Sequence, residues 1–290
     1  MDTTTVLPYD VEECIKKCIA AKREEYNLST SFPNPVPRED VLNLLDKFCT
    51  VIYYPLNHEG NNGFHVTDIP VIDDNKNHFV FINTAQTIEK QIFTAAHELG
   101  HVWNVDDYVL SQIDSIEDSS PNRELIINRF AAVLLMPDEH FRSAYQDELK
   151  KLVEPDRSIT LLNVLKLVVL LMGQFFAPMK AVVLRFVELG YMKYESASIL
   201  LGKGSLQPVV IEQVKKKLVS DFGYLKFQKP TEKKWIEGLS ELLDTAEQNQ
   251  LVSQEKIIRM REAFDLDASA IFAADATDMN QVIPLSTQEV

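Results

Sequence analysis

His97 and His101, four residues apart with Glu98 beside the first, are the residues whose types and spacing are best suited to chemistry. On a helix this spacing puts both imidazoles on one face, one turn apart and aimed at a shared point, as two metal ligands must be. Glu98 projects to one side of that point. It is poorly placed as a third ligand and well placed to take a proton from a water on the metal, so the pattern predicts metal-assisted hydrolysis with Glu98 as general base.

A catalytic zinc needs three protein ligands and one open position, so a third donor is expected on a separate element. Thr87 is a reasonable N-cap for the histidine helix, and Ile92, Phe93, Leu99, Val102 and Trp103 give it a side to bury. After Trp103 an acidic loop ends at Ser120-Pro121, a favourable N-cap and first helical residue. The apolar helix that follows carries Glu124 and stops at Pro137. Two readings of Glu124 fit: the third ligand, or a solvent-facing first-turn acid favoured by the helix dipole. If Glu124 is not a ligand, Glu117 and Asp106 in the loop are next in line. Asn128, one turn on, shares the Glu124 face and suits a hydrogen bond to a ligand imidazole.

Upstream, residues 11–26 and 39–48 read as helices separated by Pro33, Pro35 and Pro37, while 51–54 and 79–82 read as strands. A turn at Gly60–Gly63 introduces a further strand over 64–72. The strand 79–82 just before the catalytic helix is expected to be an edge that pairs with extended peptide. Tyr108, Arg129 and His140 are candidates to stabilise an oxyanion; His58, His65 and His78 read as surface or loop residues.

Phe93–His101, followed by Glu124-Leu125-Ile126-Ile127-Asn128-Arg129-Phe130-Ala131-Ala132-Val133-Leu134-Leu135-Met136-Pro137, resembles the two signature blocks of the ImmA/IrrE family of metallopeptidases. The chain departs from that pattern at Ile127, where the family usually has alanine. The resemblance runs from about Val41 to Pro137. It implies a small gluzincin-like core, helices around a short twisted sheet, with Zn2+ held by His97, His101 and Glu124. It also implies intracellular cleavage of a helix-turn-helix repressor, releasing phage, mobile-element or stress genes.

The chain of 290 residues, 46% apolar, is long enough for a real core and an appended region. Its first residues lack a basic start and an apolar run, and residues 161–172 are too short and too interrupted to span a bilayer, so a cytoplasmic, non-membrane protein is expected. Three cysteines, Cys14, Cys18 and Cys49, offer neither a disulfide framework nor a zinc ribbon. A net charge of −14 argues against general nucleic-acid binding.

Residues 160–190 look like a helix-turn-helix, turning at Gly173 and closed by Gly190. Between 159 and 204, Lys166, Lys180, Arg185, Lys193 and Lys203 outnumber Glu188 and Glu195. The apolar 182–187 run favours packing or protein docking over base reading. Helices are expected over 209–220, 232–248 and from Ser253 to 264, then an acidic tail. The expected fold is α+β, with a zinc metallopeptidase domain over 1–155, a helix-turn-helix-like segment over 156–204 and a helical region over 205–290. The expected function is zinc-dependent endopeptidase. Its rivals are a DNA- or partner-binding regulator using the metal fold as a sensor, and the toxin of a toxin–antitoxin pair.

Overall fold

The computed structural model describes residues 7–28, 40–57, 62–66, 78–152, 159–202, 208–223 and 229–266. The proline connector, His58, the strand extension past 66, the boundaries near 155 and 204 and the acidic tail lie outside the described residues. The chain divides into two compact units, Met1–Lys233 and Lys234–Val290.

In the first unit the order is α1 (Tyr9–Glu25), α2 (Asp40–Asp46), β1 (Thr50–Tyr54), β2 (Gly63–Val66), β3 (Phe79–Asn83), α3 (Ile88–Val102), α4 (Val105–Gln112), α5 (Ser120–Leu135), α6 (Asp138–Leu152), α7 (Leu161–Phe175), α8 (Met179–Glu188), α9 (Tyr194–Leu200) and α10 (Pro208–Asp221). This is the expected α+β arrangement, a few strands set among many helices. Cys14, Cys18 and Cys49 are buried free thiols. Among the described residues no single helix is long and apolar enough to cross a membrane.

The three strands run β1-β3-β2, with β1 parallel and β2 antiparallel to β3. The expectation of an open edge at residues 79–82 is therefore wrong: β3 is the middle strand, its main chain engaged on both sides. Its continuous apolar run Phe79-Val80-Phe81-Ile82 suits a strand covered on both faces. At its end, buried Asn83 takes Oδ1 bonds from the Leu56 and Ala85 amides and gives its own amide to the Leu56 carbonyl, fixing the exit into α3. The chain returns to this exit much later. The Glu232 amide donates to the Thr84 carbonyl at 3.1 Å, and Thr84 Oγ1 donates to the Lys233 carbonyl at 2.7 Å.

α3 starts after Thr87 as expected, but the Thr87 side chain makes no cap bond; its carbonyl receives the Lys90 and Gln91 amides. Asn104, left-handed at φ 51°, separates α3 from α4. α5 begins one residue early, with Ser119 as N-cap and Pro121 in its first turn. The turn expected at Gly173 is also displaced. Gly173 is a buried residue inside α7, and the helix ends at Phe176, left-handed at φ 51°, before α8 departs at 106°.

α8 is anchored by Arg185, which is fully buried. Its guanidinium donates to Glu12 of α1 at 2.9 and 3.1 Å, to Glu188 at 3.0 Å, to the Met136 carbonyl at 3.1 Å, and also to Asp138 of α6. Arg129 of α5 meets Glu12 at 3.2 Å and Glu188 at 2.8 Å, and Lys16 meets Asp138 at 2.9 Å. Three acids thus balance three bases where α1, α5, α6 and α8 meet, which keeps the burial of charge tolerable.

The second unit holds α11 (Leu239–Gln248) and α12 (Gln254–Ala263), with Leu239, Leu243 and Ile257 buried. The helix expected from residue 232 starts only at Leu239, because Glu232 and Gly238 both have left-handed backbone, φ 53° and 68°.

Candidate metal centre

Two helices, α3 and α5, bring the three side chains together, and one contact between them sets the spacing. Where α3 crosses α5, a Cβ on Gly100 would stand 2.8 Å from Phe130 and 3.2 Å from Ile127, so glycine lets the two helices approach. Ile127, the departure from the family pattern, is fully buried in that contact and is accommodated by it. The start of α5 is tied down by Arg123, whose guanidinium bonds Asp106 at 2.7 Å, Asp107 at 2.6 Å and Asp118 at 2.6 Å. Asp106 is committed to that cluster.

At the crossing, His97 Nε2 and His101 Nε2 are 3.3 Å apart. Glu124 Oε2 is 3.3 Å from the first and Glu124 Oε1 3.5 Å from the second. These separations are longer than a charge-assisted hydrogen bond. They match a shared ion: donors about 2.0–2.1 Å from a tetrahedral zinc stand roughly 3.3 Å from one another. Among the described residues this is the one cluster of at least three His, Cys, Asp or Glu donors able to hold a metal. His101 is partly exposed and Glu124 about half exposed, so the cluster opens to solvent on one side.

Burial, and then the neighbouring His101, hold the His97 imidazole below its ordinary pKa against the pull of Glu124 and of a hydrogen bond that the ring donates to Asn128. A neutral imidazole is the form that binds a metal. Asn128 thus does what its position on the Glu124 face predicts. Its Nδ2 donates to the Glu124 carbonyl at 2.7 Å, leaving the amide oxygen to accept from the His97 ring, which turns Nε2 toward the shared point.

Glu98 is 5% exposed and forms the inner wall. Burial, and then the charge of Glu124, push its carboxyl up to about 7. Its neighbour is an absence: a Cβ built on Gly63 of β2 would lie 2.5 Å from Thr94 Cγ2, 2.6 Å from the Phe81 carbonyl and 3.7 Å from Glu98 Oε1. Any side chain there would displace the strand from the helix.

Two residues along β2 is His65, which the sequence reads as a surface or loop residue. It is half-buried, hydrogen-bonded to His78 (Nε2 to Nδ1, 2.8 Å), and its ring lies 6.3 Å from that of His101 at an interplanar angle of 27°. Burial, then His78 and His101, bring its pKa down to about 4. The proposed oxyanion residues are elsewhere. Arg129 is engaged by Glu12 and Glu188, His140 is an exposed residue of α6, and Tyr108 packs on the core from α4. None of the three has a hydrogen bond or ring contact with His97, His101 or Glu124 among the described residues.

Residues 47–171 match the family model described as the IrrE N-terminal-like domain. No curated protein matches the chain. That match begins before β1 and runs through most of α7, so it takes in every residue of the cluster. Over this segment, which is less than half of the chain, the protein is similar to the IrrE N-terminal-like domain, and the match supports a metallopeptidase of the ImmA/IrrE kind.

Proposed function

We propose that the protein is a zinc-dependent endopeptidase, acting in the cytoplasm on a flexible segment of a helix-turn-helix repressor. The observation that carries the reading is the geometry of His97, His101 and Glu124 with Glu98 buried beside them. Bound there, zinc supplies a Lewis acid and lowers the pKa of its water to about 7. His97 and His101 are held by α3 and Glu124 by α5, leaving the solvent side for substrate. Glu98 takes a proton from the attacking water as its oxygen bonds to the carbonyl carbon and the carbonyl π pair moves to oxygen. As the oxyanion pair re-forms the carbonyl the C–N bond breaks, its electron pair stays on nitrogen, and the nitrogen takes that proton from Glu98.

The edge available for substrate is β2. The Asn83 amide donates to the Asn62 carbonyl, so in an antiparallel ladder the hydrogen-bonded pairs fall at residues 62, 64 and 66, and the main-chain groups of Gly63 and His65 face away from β3. No other strand pairs with that side among the described residues. An extended peptide laid there runs past Glu98 and His101, whereas a folded helix has no free main-chain groups to offer.

The regulator reading has one observation in its favour, the 106° angle between α7 and α8, within the helix-turn-helix range. Against it, Ala181, Val182, Val183, Arg185 and Phe186 are buried, which leaves α8 little face for bases. To test the peptidase reading, the zinc-loaded chain is incubated with helix-turn-helix repressors of its own genome and with unfolded casein. An internal cut that a chelator abolishes and added zinc restores is expected. Intact substrates with one zinc bound per chain would refute it.

A further inference from the structure

We propose that His65 is a catalytic residue of this site: its imidazole donates a hydrogen bond to the scissile carbonyl oxygen as that oxygen becomes tetrahedral and negative, and His78 sets which ring nitrogen carries the proton. The inference rests on the peptidase reading and assigns a group that reading lacks, since Arg129, Tyr108 and His140 are not at the cluster.

Side chains two apart on a strand share a face, so His65 projects the same way as the missing side chain of Gly63, toward α3. Gly63 lies opposite Thr94 and Glu98, and His65 lies opposite His101. The strand step from 63 to 65 spans about 7 Å and the helix step from 98 to 101 about 4.5 Å, so β2 tracks the helix face that bears both the base and a ligand. A peptide bond attacked by a water that Glu98 deprotonates lies along this track, with His65 beside its oxygen. The position also follows from the main chain, because the outward amide and carbonyl of His65 belong to the edge on which the peptide pairs.

The 2.8 Å contact between His65 Nε2 and His78 Nδ1 supplies the orientation. With His78 Nδ1–H donating, His65 Nε2 accepts and its own proton sits on Nδ1, free to bond the substrate. His78 stands immediately before β3, so its position is set by the central strand. It is a positioning residue and does not itself meet substrate.

The test uses the zinc-loaded full chain and two readouts, cleavage and the binding of a phosphinic pseudodipeptide, whose tetrahedral anion resembles the addition product and needs no turnover. His65→Phe keeps a flat ring against His101 and removes the donor, whereas His65→Gln restores an N–H. We expect His65→Phe to keep its zinc, to lose about 10²-fold or more in phosphinate affinity and in kcat with KM little changed, and His65→Gln to recover a substantial part. His78→Phe should give an intermediate loss. Wild-type phosphinate affinity in His65→Phe would overturn the proposal, as would equal losses in the Phe and Gln variants accompanied by loss of zinc, which is the signature of a packing role. Wild type that binds the phosphinate and cuts no protein would count against the peptidase reading alone.

Discussion

Glu98→Gln is expected to leave fold and metal content unchanged and to lower cleavage by about 10²–10⁴-fold, since the amide fills the same space and cannot accept the water's proton. The effect should fall on kcat. Near wild-type cleavage would show that another group moves the proton. The same variant has an opposite effect in the metal-free chain. There the Glu98 carboxyl, pushed up to about 7 by burial and Glu124, holds its proton more tightly folded than at its ordinary value of 4.5. Its contribution to stability is present below 4.5 and lost as the pH rises through 7. Metal-free Glu98→Gln should therefore be more stable than metal-free wild type at pH 8, by on the order of 3 kcal/mol, with the gap closing as the pH is lowered. Urea unfolding at several pH values reads this directly. Equal stability at all pH values would show that Glu98 ionises in the metal-free fold without cost.

Arg185→Ala has the largest expected effect on stability. It leaves Glu12, Glu188 and Asp138 at a buried junction with only Arg129 and Lys16 to balance them, and it opens a cavity of guanidinium size. Breaking a buried charge network from one side costs about 3–5 kcal/mol. Adding Glu12→Gln to the variant should recover part of that loss, because one uncompensated charge then disappears. A loss below about 1 kcal/mol for Arg185→Ala would mean that the junction is wetter than its burial indicates.

Why some of this was legible in the sequence and some was not follows from the range of the interactions. The His97–His101 pairing is local, set by one turn of helix. Glu124 could be proposed because its apolar helix had to pack inward, but its distance from the histidines depends on Gly100 meeting Ile127 and Phe130 across 27 residues or more. β3 was misplaced at the edge although its unbroken apolar run was itself the signal of a central strand. Arg185 was one of five bases counted in a net-positive segment, and counting charges does not reveal that an arginine is buried among acids from α1, α6 and α8. His65 carried no signal. A histidine in a four-residue strand is ordinary, and its relation to His101 exists only once β2 pairs with β3 in this register. The false start of the helix at 232 has a local cause: Glu232 takes a left-handed backbone as the segment docks on Thr84.

The central claim is that three side chains from two helices hold one zinc. Its most direct test is the zinc content of the purified chain and of Glu124→Ala after dialysis against a weak chelator. The account predicts one zinc per wild-type chain and loss of most of it in Glu124→Ala, since two imidazoles and water do not make a tight site. Full occupancy in Glu124→Ala would contradict it, and would move the third ligand away from α5.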